Sequence, residues 1–215
     1  MPKLAEAVLM ALEKLNVPLP PRNSWMYSVN FTDRYMTKYS QQYCVMVDDA
    51  FQDSSPLGER SSALDLISWI SCIPHYTNQA GVNEKGIPFK SNLVILTTNT
   101  ERPIRMEITQ PEALYRRFHK SLIFEKCDCH TVANGVKTMT PCNYPFIQKG
   151  FHIKKYNVLS GLKTSETIGS EEFIIECVKD IMAWQKHQRE LFQEQRPSEE
   201  SVSYTHLRAH ETRRH

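Results

Sequence analysis

The stretch YCVMVDDAFQ, Tyr43 to Gln52, restricts this chain more than any other. Tyr43 to Val47 is apolar or aromatic throughout, with no polar residue in alternation. That is the pattern of a strand covered on both faces, which belongs in a parallel sheet between helices. Two acids follow at once, Asp48 and Asp49. A parallel strand ends at the carboxyl edge of its sheet, the edge at which α/β proteins place ligands. Adjacent carboxylates there can divide labour, one holding Mg²⁺ directly or through water, the other orienting a water for phosphoryl transfer. Taken alone, the pair fits a solvated strand end as well as a site.

The surrounding chain supplies the helices that such a strand needs. Pro2 to Leu15 sets Leu4, Ala7, Val8, Ala11, Leu12 and Leu15 at helical spacing, and the proline-rich run from Val17 to Pro21 stops it. Ser24 to Val29 reads as a short strand. Asn30 to Gln42 is a polar connection whose tyrosines, Tyr35 and Tyr39, are expected to pack in the loop rather than stack on bases. Ser61 to Cys72 is a helix with Leu64, Ile67 and Ile70 on one side and Ser62 as a cap. Leu93 to Leu96 is a second buried strand ending in Thr97-Thr98-Asn99, and Glu112 to Lys120 is a short helix behind Pro111 bearing Arg116 and Arg117. Ser121 to Lys126 reads as a third strand, so that strands alternate with helices as in a mostly parallel sheet.

Cys127 to Lys155 is rich in Gly, Pro and Asn and ends in a hairpin-like run, which marks a small appended subdomain over 127–168. Gly169 and Ser170 open a long helix with Glu171 and Glu172 in its first turn and Phe173, Ile174, Cys177, Val178 and Ile181 as its stripe; helix and linker occupy 169–201. Lys+Arg 26 against Asp+Glu 24 leaves a charge of +2, too little to argue for or against a nucleic-acid partner. Six scattered cysteines point to a reducing compartment. No apolar run approaches the roughly 18 residues that a membrane span needs. Val202 to Thr212, VSYTHLRAHET, looks like the translation of a transposase-type sequencing-library adapter. Residues 202–215 are therefore kept out of the fold argument despite their basic character.

Four features thus stand in a fixed order: a strand with Asp48-Asp49, a Glu-Lys-Gly turn, a strand with Thr97-Thr98-Asn99, and a helix with Arg116-Arg117. In that order the chain resembles the superfamily 3 helicases of picorna-like RNA viruses, the ATPase of their non-structural polyprotein, from about Pro2 to Phe124. VMVDDAFQ (Val45 to Gln52) matches the family's Walker B strand, which implies Asp48 toward Mg²⁺ and Asp49 toward the lytic water. NFTDRYMTKYSQQ (Asn30 to Gln42) matches the lead-in to that strand. The EKG-x-PF-x-S turn is matched by Glu84 to Ser91, with Lys85 implied to face RNA in a central pore. VILTTN matches the strand whose Asn99 would be the sensor. AL-x-RR-F, Ala113 to Phe118, resembles the arginine-finger region and implies Arg116 or Arg117 at a neighbour's γ-phosphate.

The resemblance implies an α/β P-loop NTPase core of the AAA+-like, three-layer kind over 1–126, truncated before the phosphate loop and missing its first strand. For the complete enzyme it implies ATP and Mg²⁺ as cofactors, RNA as partner, and a homo-oligomeric ring, a hexamer. It implies a site of action at membrane-associated replication complexes in the host cytoplasm, with membrane association only through segments absent here. One departure stands out: no GxxxxGK followed by Ser or Thr occurs anywhere. The expectation is a fragment cut at both ends, lacking the main cradle for the β and γ phosphates and inactive by itself. Cys127, Cys129, His130 and Cys142 offer four possible zinc ligands, but their spacing fits no structural zinc pattern, and reduced, half-buried thiols are the expectation. Two other readings remain at this point: a non-enzymatic interaction module, and a DNA-virus helicase of the same superfamily.

Overall fold

The computed structural model of the chain describes residues 2–30, 33–52, 61–71, 73–81, 85–103, 108–126, 130–133, 136–139 and 151–194. Helix α1 (Pro2–Lys14) is built from good helix formers with one apolar stripe. Its buried residues are Leu4, Ala5, Val8, Leu9 and Leu12. The stripe is therefore rotated from the expected one, taking in Ala5 and Leu9 and leaving Leu15 53% exposed. The helix also closes before the prolines act. Asn16 adopts a left-handed φ of 57°. Its N–H donates to Glu13 O (3.0 Å), and Val17 N–H donates to Leu12 O (3.1 Å). That pair of bonds is a Schellman cap, which satisfies carbonyls the helix end would otherwise strand.

Strands β1 (Met26–Val29), β2 (Cys44–Val47) and β3 (Leu93–Leu96) form one sheet in the order β1-β2-β3, with both pairings parallel. The apolar run of Tyr43 to Val47 thus sits in the middle, as its two-sided apolarity demands. Val45 and Val47 point to one face, where they join a core containing Val29, Met36, Tyr39, Leu66, Trp69 and Leu114. Cys44, on the opposite face by the strand's alternation, is fully buried, so that face is covered too. Burial pushes the Cys44 thiol up to about 12. β3 is half-buried along its length, because among the described strands it is bonded on one side only. A parallel three-stranded sheet flanked by helices is the α/β, P-loop NTPase-like fold expected from the sequence.

Helix α2 (Ser62–Trp69) is shorter than expected and turns a different face inward. Ala63, Leu66 and Trp69 are buried, while Leu64 is 44% exposed. Its N-cap residue is Ser61 rather than Ser62, and the Ser61 side chain makes no capping bond. Helix α3 stops early, at Glu112–Tyr115. The largest correction concerns Ser121–Lys126, strand β4. It does not join the parallel sheet but pairs antiparallel with β7 (Phe151–Asn157), which pairs antiparallel with β8 (Leu162–Thr167). Strand and helix alternation could not reveal this, because pairing partners are set by contacts distant in sequence. β5 (His130–Ala133) and β6 (Val136–Met139) form a separate two-stranded ribbon.

Helix α4 (Ser170–Glu194) opens as expected with Glu171 and Glu172 in its first turn. Met1–Glu176 is one compact unit and Cys177–His215 a second. Within the first, Glu176 accepts from Lys155 (2.5 Å) and Lys120 (3.3 Å), bracing the start of α4 against the antiparallel sheet. In the second, Met182 and Trp184 are 40% and 50% exposed.

The connection from Asp33 to Gln42 is held by rings and amides rather than by regular structure. Tyr39 is 1% exposed and stacks on Phe89 (5.5 Å), which stacks in turn on Trp69 (5.0 Å). The Tyr39 hydroxyl accepts from Lys90 N–H (2.9 Å) and shares a hydrogen bond with the Ser91 hydroxyl (3.0 Å). Tyr39 thus packs in the loop, as expected. Tyr39→Phe strands the Lys90 amide and should cost about 1–3 kcal/mol, read as a lower urea midpoint at unchanged slope. A second expectation concerns acid. The hydrogen bond from Lys155, reinforced by Lys120, holds the Glu176 carboxyl below its ordinary value. Its contribution to stability is therefore complete above about pH 4.5 and is lost as pH falls through the lowered folded value. Glu176→Gln should reduce stability at neutral pH, and the gap to the wild type should close on acidification.

Candidate functional site

Because β2 and β3 run parallel with Val47 opposite Leu96, the residues that follow them, Asp48 and Thr97, emerge together at the carboxyl edge of the sheet. The backbone continues the ladder: Thr97 N–H donates to Val47 O (2.9 Å), and Ala50 N–H donates to Thr97 O (2.7 Å). The Thr97 hydroxyl then touches both acids. It donates to Asp48 Oδ1 (2.5 Å) and accepts from Asp49 N–H (2.9 Å). Asn99 reaches the second acid, its Nδ2 donating to Asp49 Oδ1 (3.1 Å). Asp48, Asp49 and Asn99, assigned from sequence as one site, are brought together within hydrogen-bond reach. Thr97 was missed. Its signal was available, since it is the residue opposite Asp48 once the two strands are taken as parallel and in register.

The acid loop is held in an uncommon backbone conformation. Asp49 has φ 48° and Phe51 has φ 68°. An aspartate tolerates the left-handed region, but a bulky Phe there costs on the order of 1–3 kcal/mol and persists only where the surroundings impose it. Here they do: Phe51 is 7% exposed and meets Phe118 edge-to-face at 6.1 Å. The turn that carries the arginines is thereby packed on the loop that carries the acids.

The two arginines differ sharply. Arg117 is half-buried, its Nε donating to Ile67 O (3.2 Å) near the end of α2 and its Nη1 donating to Ala113 O. Arg116 is exposed and, among the described residues, is tied only through Nε to Glu112 O (3.3 Å). Arg117 joins α3 to α2, whereas Arg116 stays at the surface. Neither sits inside a helix, contrary to expectation, because α3 ends at Tyr115.

Lys85 is exposed in a turn with Gly86, whose φ of 88° suits glycine. The turn caps a hairpin in which Tyr76 bridges Pro88, Thr77 N–H donates to Ile87 O and Phe89 N–H donates to His75 O. Phe89, wedged between Tyr39 and Trp69, anchors it. Cys127, Cys129 and Cys142 lie outside the described residues, as does the His130 side chain. Among the described residues no cluster of three or more His, Cys, Asp or Glu could hold a metal. Two exposed carboxylates at a strand edge do fit Mg²⁺, which takes one or two protein carboxylates and completes its shell with water and phosphate oxygens.

Residues 2–100 match the family model described as RNA helicase, a little under half of the chain. The RNA1 polyprotein of Cowpea mosaic virus is 35% identical over 95 residues, 44% of this chain and 5% of that polyprotein. The replication polyprotein of Nora virus is 33% identical over 94 residues, 44% of this chain and 4% of its own length. The genome polyprotein of Human rhinovirus 3 is 34% identical over 97 residues, 45% of this chain and 4% of that polyprotein. The chain thus spans about a twentieth of the length of these relatives. Asp48, Asp49, Lys85 and Asn99 fall inside the matched segment, while Arg116 and Arg117 fall beyond it.

The contrast between the arginines has a measurable consequence. Arg117→Ala removes two charge-assisted bonds to main-chain carbonyls and should destabilise the protein by about 1–3 kcal/mol. Arg116→Ala, on the surface, should stay within about 0.5 kcal/mol of the wild type in the same urea titration.

Proposed function

Residues 2–100 belong to the RNA helicase family, the superfamily 3 domain of picorna-like virus polyproteins, and on that premise we propose that this chain is part of a nucleoside-triphosphate-driven motor acting on RNA during viral replication. The observation that carries the reading is the acid pair at the sheet edge, with the Asp48 carboxylate accepting from Thr97 and the Asp49 carboxylate from Asn99, both just past the end of the neighbouring strand. Asp48 is then the ligand side of the pair, toward Mg²⁺. Asp49, oriented by Asn99, is the group that positions the attacking water. Mg²⁺, when bound with ATP, neutralises charge on the phosphates. Phosphoryl transfer asks little else of a protein than such positioning and charge stabilisation.

In the same reading Arg116 serves a site on a neighbouring subunit of a homo-oligomeric ring, since an exposed arginine on this turn is free to cross an interface. Lys85, on its anchored hairpin, contacts the RNA backbone as a point charge. No GxxxxGK followed by Ser or Thr occurs in the 215 residues, and in this reading the amides and lysine that cradle the β and γ phosphates are supplied by a separate segment.

Residues 1–215 alone should therefore turn over ATP at no more than the background rate. Joined to a preceding segment that supplies the phosphate loop, they should become active, and Asp49→Asn and Arg116→Ala should each remove activity. An arginine finger contributes about 10³ to 10⁵ in rate. Rings mixed from those two variants should regain turnover, because one subunit lends an intact nucleotide site and the other an intact arginine. Failure of rescue in rings shown to contain both variants would refute action across the interface. Asp49-dependent turnover by residues 1–215 alone would refute the need for a phosphate loop.

A further inference from the structure

We infer that Thr97 is the positioning residue of the acid pair: its hydroxyl sets which oxygen of Asp48 faces a divalent cation and fixes the backbone from which Asp49 works. The inference rests on the proposed roles of Asp48 and Asp49 and adds a residue to which neither the comparisons nor the motif pattern gives a role.

The hydroxyl has one proton to give and lone pairs to receive, and here both capacities are used. The proton goes to Asp48 Oδ1 at 2.5 Å, a short, charge-assisted contact. With one lone pair of Oδ1 taken by Thr97, Oδ2, which accepts no hydrogen bond among the described residues, is the oxygen we assign to a cation at the sheet edge. A lone pair accepts the Asp49 N–H at 2.9 Å, which holds Asp49 at φ 48°. The Ala50 N–H to Thr97 O bond fixes the next peptide. Asn99 then takes Asp49 Oδ1 at 3.1 Å. One residue on β3's end thus orients the ligand acid by its side chain and the water-positioning acid by that acid's own main chain. Both bonds end on the same oxygen atom, so a displacement of the Thr97 hydroxyl is felt by both acids.

Serine keeps that oxygen and valine keeps only the shape, so the two substitutions separate the hydroxyl from the packing. Partners that orient a metal-binding carboxylate typically contribute 10- to 100-fold to metal affinity. The test uses the whole chain with Mn²⁺ alone, read by paramagnetic broadening of the Asp48 and Asp49 amide signals, together with hydrogen exchange at the Asp49 amide. In the wild type and in Thr97→Ser, Mn²⁺ should broaden both signals at the same concentration, and the Asp49 amide should be protected. In Thr97→Val the Asp49 amide should exchange at least about 10-fold faster and the Mn²⁺ concentration for half broadening should rise about 10-fold or more. Thr98, whose hydroxyl among the described residues only accepts the Thr100 N–H, supplies the matched control, and Thr98→Val should behave as wild type. Should Thr97→Val not fold, Thr97→Ser still decides, because loss of Mn²⁺ broadening in a variant that retains the hydroxyl overturns the inference. Broadening in the wild type that Thr97→Val leaves unchanged overturns the role of Thr97 alone. No broadening at Asp48 and Asp49 in the wild type overturns the assignment of the cation to the acid pair itself.

Discussion

The parallel pairing of Cys44–Val47 with Leu93–Leu96 is the interaction on which the rest of the structure depends. Two strands can end in polar residues anywhere in a protein without meeting. Here a shared direction and a fixed register deliver Asp48 beside Thr97, and the ladder then runs past the strand ends through the main chain of Thr97. The side-chain pairings to Asp48 and Asp49 follow from that alignment. A one-residue slip would draw Asp48 into the covered part of the sheet or push Val47 out to its edge, and would exchange the side chains facing each side of the core. The core beneath the sheet, with Val45 fully buried, makes such a slip prohibitive.

Much of this was legible in the chain because it is written locally. The unbroken apolar run of Tyr43 to Val47 requires cover on both faces, and Leu93 to Leu96 repeats the signal. Acids and asparagine after such strands place a site at the sheet's edge. The helices were less legible in detail. α1 and α2 were found, but their buried faces were misjudged, because Ala5, Leu9, Ala63 and Trp69 lie as plausibly on one stripe as Leu15 and Leu64 on another. Which stripe turns inward is decided by what it packs on. The end of α1 was attributed to its prolines, whereas the Asn16 cap closes it first.

The long-range pairing of the third expected strand was not legible. Ser121–Lys126 has the composition of a strand and follows a helix, yet its partner is a strand that begins at Phe151. Nothing local distinguishes a strand awaiting a parallel neighbour from one awaiting a hairpin some 30 residues away in sequence. The difference between Arg116 and Arg117 was hidden for a similar reason. Adjacent in sequence, they separate only because Ile67 O happens to lie where one guanidinium can reach it. The aromatic stack of Tyr39, Phe89 and Trp69 likewise joins three segments far apart in the chain, and turns a polar connection into a rigid mount for the Lys85 hairpin.

The burial of Cys44 gives the chain a built-in chemical clock. A thiol with no solvent exposure, pushed up to about 12 by burial, offers an alkylating reagent almost no thiolate while the central strand is in place. Modification at that position at neutral pH has to wait for an opening that uncovers this face of the central strand, so its rate reports on local opening of the sheet layer. The middle of the sheet thus carries a native reporter of its own cover, one residue before Val45 and four before Asp48.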